Sequence, residues 1–175
     1  MWADLLGTMH EGEEEDPAFV QQRAPFTRAF PGVAPPERTP LSPAQRQQAL
    51  DWLLPLMRLT SLPTPTARIG LVAADRPADV LPRIGWTGVT NRYPTSLPVA
   101  AVLRSWEDRF GARLIDVGFA EIRLLVERPP RSPKAALHIA AEQYPFADES
   151  GEGLRDIPRI AASLVDAPIW AFWWD

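Results

Sequence analysis

The chain has 175 residues, 46% of them apolar, so it has room for one domain of ordinary size and an appendage. It lacks cysteine, which excludes disulfide bonds, thiol catalysis and cysteine metal ligands and is typical of a cytoplasmic protein. The net charge is −4, and six acidic residues and no basic one lie in the first 16, so the remainder is almost neutral and lacks the positive field expected for nucleic-acid binding.

Composition divides the chain into three parts. Residues 1–40 are acidic and then rich in proline, which predicts a flexible arm, since ten of the 20 prolines fall between Pro17 and Pro65. Residues 41–66 are interpreted as an N-terminal helix and a linker, and residues 67–175 as an α+β domain. The beginning of the chain lacks the pattern of a secretory signal, and no apolar run is long enough to predict a transmembrane helix.

Two elements are predicted before residue 76. Ser42 is a suitable cap and Pro43 a suitable first-turn residue for a helix, which Pro55 is expected to kink or shorten. The apolar run over residues 67–75 predicts a buried strand, because turn-forming residues bound it on both sides.

The central part of the domain carries the clearest pattern. Apolar side chains at helical spacing predict a helix over 97–110 that Gly111 ends. Two strands, 112–118 and 121–128, follow with a connection of hairpin length. In the second strand, alternation predicts a buried face that contains Ile122, Leu124 and Val126.

The last third predicts two helices and a strand. The first helix begins at Ser132 and Pro133 and runs to about Tyr144, and the second covers about 154–165, with Pro158 as an interruption. The terminal strand covers 168–174. This order predicts an antiparallel sheet with helices on one face, similar to the ferredoxin-like order, with an extra helix before the last strand; the first and last strands would be neighbours.

The end of the chain is unusually aromatic, since three of the seven tryptophans lie in its last six residues. Side chains of this size are costly to leave in water, so the tail is expected to pack into the fold. Alternation places Trp170, Phe172 and Trp174 on one face and Trp173 on the other. The strand is therefore either central in its sheet or exposes one face to a partner.

Several strings resemble the bacterial domain of unknown function numbered 4253 from about Ile69 to Asp175. They are RIGWTGVTN (83–91), VLRSWEDRFGARLIDVGF (102–119), VERPP (126–130), AAEQYPF (140–146) and the final WAFWWD. The resemblance implies a bacterial, often actinobacterial, source and no established activity. Members often carry a histidine and a cysteine after the glutamate, where this chain has Gln143 and Ala147, so metal or thiol chemistry from that block is not expected here.

Six residues are candidates for a ligand-binding site. His138 and Glu142 lie four apart on a predicted helix, so they share a face and could form a base or half of a metal site, or simply a surface pair. Polar residues after the aromatic loop and at the terminus could line the same pocket, and the full set is Trp86, Asn91, Arg92, His138, Glu142 and Asp175. No catalytic set, resident metal or cofactor is predicted, because neither a nucleophile elbow nor a phosphate loop is present.

Three functions stay open at this point. The favoured one is a non-enzymatic cytoplasmic interaction module, similar in kind to immunity or adaptor proteins, that binds another protein rather than nucleic acid or a membrane. The second is a small enzyme or ligand-binding domain with a pocket near Trp86, Asn91, Glu142 and Asp175. The third is a structural component of a larger assembly.

Overall fold

A computed structural model describes residues 24–26, 31–59, 69–147 and 156–174, with the backbone alone for 52–59. The helices are α1 (Pro43–Leu59), a short 3-10 helix (Pro77–Asp79), α2 (Val80–Arg83), α3 (Leu97–Phe110), α4 (Pro133–Gln143) and α5 (Ile157–Leu164). The strands are β1 (Ala112–Val117), β2 (Glu121–Val126) and β3 (Ile169–Trp173).

The three strands form one antiparallel sheet in the order β1-β2-β3, which confirms the predicted α+β class. Helix α3 packs against β1, and α4 packs against α5. One face of the sheet is buried, as the alternation in β2 predicts, through Ile122, Leu124 and Val126. On the opposite face, Arg123 pairs with Asp116 and Glu121. That face therefore carries charge, whereas the other carries the core.

The prediction of a buried strand over 67–75 is wrong for the residues that the structure describes. Residues 69–75 lie outside any helix or strand, and Ile69 and Leu71 are 97% and 99% exposed. A strand such as β2 has only two edges, and β1 and β3 occupy them. Since β3 brings large aromatic rings to the core, its pairing buries more apolar area than this aliphatic run could. The ferredoxin-like order thus lacks its first strand over 69–75.

Helix ends follow the sequence closely. Helix α3 covers the predicted range, and Gly111 ends it with a φ of 63°, in the left-handed region. Helix α1 begins with a reciprocal cap, in which the Gln45 N–H donates to Ser42 Oγ and the Ser42 N–H donates to Gln45 Oε1. It continues past Pro55 to Leu59 instead of ending there.

The two later helices are capped by side chains. At the start of α4, Ser132 Oγ accepts from the Ala135 N–H at 3.2 Å. At the start of α5, the Asp156 carboxylate accepts from the Arg159 N–H at 2.7 Å. The predicted interruption at Pro158 is wrong, because this residue lies in the first turn, where a helix needs no backbone donor.

The aromatic tail is packed into the core, as its composition predicts. Trp170, Phe172 and Trp174 are buried, whereas Trp173 on the other face is 40% exposed. Trp106 of α3 contacts Trp170 edge-on and Phe172 in a stacked arrangement, with ring centroids 5.6 and 5.2 Å apart. Strand β3 lies at one end of the strand order of the described sheet, so it is not central there. Its burial alternates along the strand, so one of its faces is buried and the other is exposed.

Two glycines allow a matched test of backbone strain. Gly111 and Gly85 have φ values of 63° and 64°, but a Cβ would lie 2.7 Å from Glu127 Cβ at Gly111 and meet nothing within 4 Å at Gly85. We expect Gly85→Ala to lower the free energy of unfolding by about 1–2 kcal/mol through backbone conformation alone. Gly111→Ala should cost about 1–3 kcal/mol more through overpacking. Urea unfolding measures both, and equal losses would contradict the contact argument.

Candidate functional site

Glu142 of α4 lies at the centre of a buried polar network. Arg109 of α3 binds its carboxylate with both terminal nitrogens, at 2.7 Å to Oε1 and 2.6 Å to Oε2. The indole N–H of Trp106 donates to Oε2 at 2.9 Å, and the backbone N–H of Ala34 donates to Oε1 at 2.7 Å. The Glu142 side chain is fully buried and that of Arg109 is 14% exposed. The carboxylate therefore accepts four hydrogen bonds and stays shielded from water.

The same ion pair binds both backbone groups of a single residue. While Glu142 accepts from the Ala34 N–H, Arg109 Nη1 donates to the Ala34 carbonyl at 2.9 Å. Ala34 itself is 2% exposed. Residues 31–40, which belong to the predicted flexible arm, thus contact the domain at this point, while residues 1–23 and 27–30 of that arm lie outside the described residues.

His138 lies one helical turn before Glu142 and also contacts the arm. Its ring packs against Phe26, with centroids 5.2 Å apart and an interplanar angle of 59°. The Glu142 oxygens accept from Arg109, Trp106 and Ala34 rather than from His138. The two candidates therefore do not form the acid–base pair that their spacing allows. Within the described ranges, no group of three or more histidine, aspartate or glutamate side chains is placed to hold a metal ion.

Trp86 belongs to a different part of the molecule. Its indole N–H donates to the Gly118 carbonyl at 2.9 Å, and its ring meets Trp174 edge-on at 5.6 Å. Asn91 and Arg92 follow in the same loop and are exposed. Next to them, burial raises the pKa of the Tyr93 hydroxyl from its ordinary value, and the charge of Arg92 acts in the opposite direction.

The sequence candidates thus fall into two groups. His138 and Glu142 face the arm, whereas Trp86 lies beside the β1–β2 hairpin. The rings of Trp106, Phe146 and Trp174 follow one another in contact from the Glu142 carboxylate to Trp86. Packed aromatic side chains therefore connect the two groups. Asp175 lies outside the described residues.

The tip of the hairpin between β1 and β2 is held at three points. The Gly118 carbonyl accepts from the indole N–H of Trp86, and the backbone N–H of Gly118 donates to the Glu121 carbonyl at 2.8 Å. The backbone N–H of Trp174 donates to the Ala120 carbonyl at 2.9 Å. Phe119, between these fixed residues, is 94% exposed. The Phe119 ring is therefore exposed to water on a loop whose flanking backbone is hydrogen-bonded to the fold.

Sequence reasoning missed three of the residues that matter here, Ala34, Arg109 and Phe119. A signal existed for Arg109, since it lies three residues after Trp106 on the same helix and so shares its side. Ala34 acts through its backbone, which leaves no trace in residue type. Phe119 occupies a turn, where an isolated exposed apolar residue is ordinary and attracts no notice.

Comparison with protein families matches residues 68–175 to the Domain of unknown function (DUF4253). Comparison with curated proteins and with solved structures finds no match. The matched range includes Glu142, Arg109 and the hairpin, and excludes the arm and α1. Among the residues described by the structure, no helix is both long and apolar enough to cross a membrane.

Proposed function

Because the chain belongs to the DUF4253 family, whose name assigns no activity, we propose a function from its geometry: a protein-binding module that uses Phe119 as its central contact. The observation that carries this proposal is an almost fully exposed phenylalanine on a loop whose flanking residues are fixed. A lone exposed apolar residue on a mobile loop would mean little. Here the backbone on both sides of the ring is fixed before any partner arrives.

Pre-organisation is what makes such a ring useful for binding. Ordering a side chain or loop on association costs free energy, and a loop already held by Trp86 and Trp174 avoids much of that cost. Aromatic residues, phenylalanine among them, are enriched in protein interfaces relative to the rest of the surface. Glu121 follows Phe119 by two residues and pairs with Trp173 of β3, so Trp173 lies at the same end of the sheet as Phe119. Because Trp173 is 40% exposed, it adds apolar surface there.

The alternative of a small enzyme receives less support from the geometry. Glu142, its best candidate base, already accepts four hydrogen bonds, two of them from Arg109. Its two oxygens are thus occupied by protein donors, which leaves them little capacity to bind a substrate. The absence of cysteine in the sequence supports the further proposal that the module works in the cytoplasm.

The test uses the full chain and the single change Phe119→Ala. Partners captured from extracts of the source cell by the wild-type chain are purified, and their dissociation constants are measured by calorimetry for both chains. We expect Phe119→Ala to raise the dissociation constant of a specific partner by about thirtyfold or more, the effect typical of an interface hot spot. The melting temperature should not change measurably, because an exposed side chain contributes little to folding.

Leu71→Ala is the matched control, since Leu71 is also almost fully exposed but lies in the irregular segment before the 3-10 helix. It should leave the partner's affinity unchanged. If both variants weakened binding equally, nonspecific hydrophobic association of exposed apolar residues would explain the capture. A partner that bound Phe119→Ala as tightly as wild type would refute the role of this ring.

A further inference from the structure

We propose that Glu142 and Arg109 form a peptide-binding site, which the chain's own arm fills and which can take a separate extended peptide of the same kind. The site recognises one residue through its backbone, because Glu142 accepts from the N–H and Arg109 donates to the carbonyl of Ala34. This inference concerns a different surface from that of Phe119 and goes beyond the proposed function.

The hydrogen-bond pattern imitates that of a neighbouring β-strand. In antiparallel pairing, the N–H and C=O of one extended residue both point toward the partner strand. Here the side chains of one ion pair supply the acceptor and the donor, 2.7 and 2.9 Å from the two backbone atoms. Pro35 follows Ala34 and disfavours helical backbone at that position, so the sequence itself favours the extended form.

The site also selects for side-chain size. Ala34 is 2% exposed, so its methyl group is enclosed, and because protein interiors are close-packed we expect a larger side chain to need movement of its neighbours. The preferred ligand is therefore an extended segment with alanine, or a residue as small, followed by proline. The arm has this pattern in the stretch PGVAPPE at residues 31–37.

The arm is replaceable because the site does not depend on it. If Ala34 leaves, Glu142 keeps both bonds to Arg109 and the bond to Trp106. Glu142 and Arg109 lie inside the range that matches the family, and the arm lies outside it. The arm is anchored nearby, since the Leu41 N–H donates to the Glu127 carbonyl at 2.7 Å. A tether this short gives the arm an effective concentration in the millimolar range, which a free peptide must overcome.

The experiment empties the site in the full chain and adds a synthetic peptide of residues 31–37. Ala34→Pro removes the backbone donor, and Ala34→Trp keeps both backbone groups but overfills the space. The Trp106 indole N–H, bonded to Glu142, is the reporter in a proton–nitrogen NMR spectrum and is assigned by its loss in Trp106→Phe. Ala34→Gly is the matched control, since it keeps the backbone and adds no bulk, and its Trp106 signal should stay at the wild-type position.

We expect the Trp106 signal to move in the two emptied variants and to return toward its wild-type position, in a saturable way, as the peptide is added. The wild-type chain should bind the peptide at least tenfold more weakly, because its own arm competes. Phe119→Ala should not change the titration, so the result is independent of the proposed function. The proposal is refuted if millimolar peptide leaves the signal of both emptied variants unmoved, or if a peptide with proline in place of alanine acts equally well.

Discussion

Glu142→Gln should lower the free energy of unfolding by about 3–5 kcal/mol, the usual cost of removing one partner from a buried ion pair. The substitution keeps the size of the side chain but removes its charge. Arg109, whose side chain is only 14% exposed, is then left without its carboxylate partner in a site that water barely reaches. Urea unfolding followed by circular dichroism measures the loss.

Glu127→Gln is the control for this result. Glu127 pairs with Arg46, but the two side chains are 22% and 44% exposed, so solvent screens their attraction. We expect a loss below about 1 kcal/mol, typical of surface pairs. Similar losses in the two variants would mean that the Glu142 network is not the buried structural unit that its contacts indicate.

Trp174→Ala should be the second severe change, with a loss of about 3–5 kcal/mol, as for other large-to-small substitutions in a core. The Trp174 indole is buried, its N–H donates to the Phe146 carbonyl at 3.0 Å, and its ring contacts both Phe146 and Trp86. The substitution opens a cavity beneath the hairpin tip and leaves the Phe146 carbonyl without this donor. The midpoint of urea unfolding reports the effect.

The adjacent residue supplies a matched comparison of the same type. Trp173 faces away from the core and is 40% exposed, so Trp173→Ala should cost no more than about 1 kcal/mol. The two variants differ by one position at the end of β3 and by which face of the sheet they change. Equal effects would contradict the assignment of faces to β3.

Local signals explain the part of the fold that the sequence predicts well. Helix α3 ends where Gly111 supplies a left-handed residue, and β2 alternates between buried and partly exposed positions because one face meets the core. Both features depend on residues within a few positions of each other. The same holds for the caps at Ser42 and Ser132.

The rest depends on choices that no local pattern contains. Whether residues 69–75 form a strand is decided by competition for the edges of β2, which β3 wins from about 100 positions further along the chain. The Glu142 site joins residues 33, 36 and 108 positions apart. The sequence therefore marks Glu142 as a candidate by its spacing from His138, but local spacing cannot pair it with partners so far away along the chain.

The buried tryptophans have an optical consequence. The indoles of Trp106 and Trp170, and those of Trp86 and Trp174, meet edge-on with centroids 5.6 Å apart. Chromophores this close couple their excited states, so we expect these two pairs to contribute to the near-ultraviolet dichroism of the chain. Such a signal is lost when side-chain packing loosens, even while helices and strands persist. Near-ultraviolet circular dichroism of this protein should therefore report whether the side chains of its core are ordered.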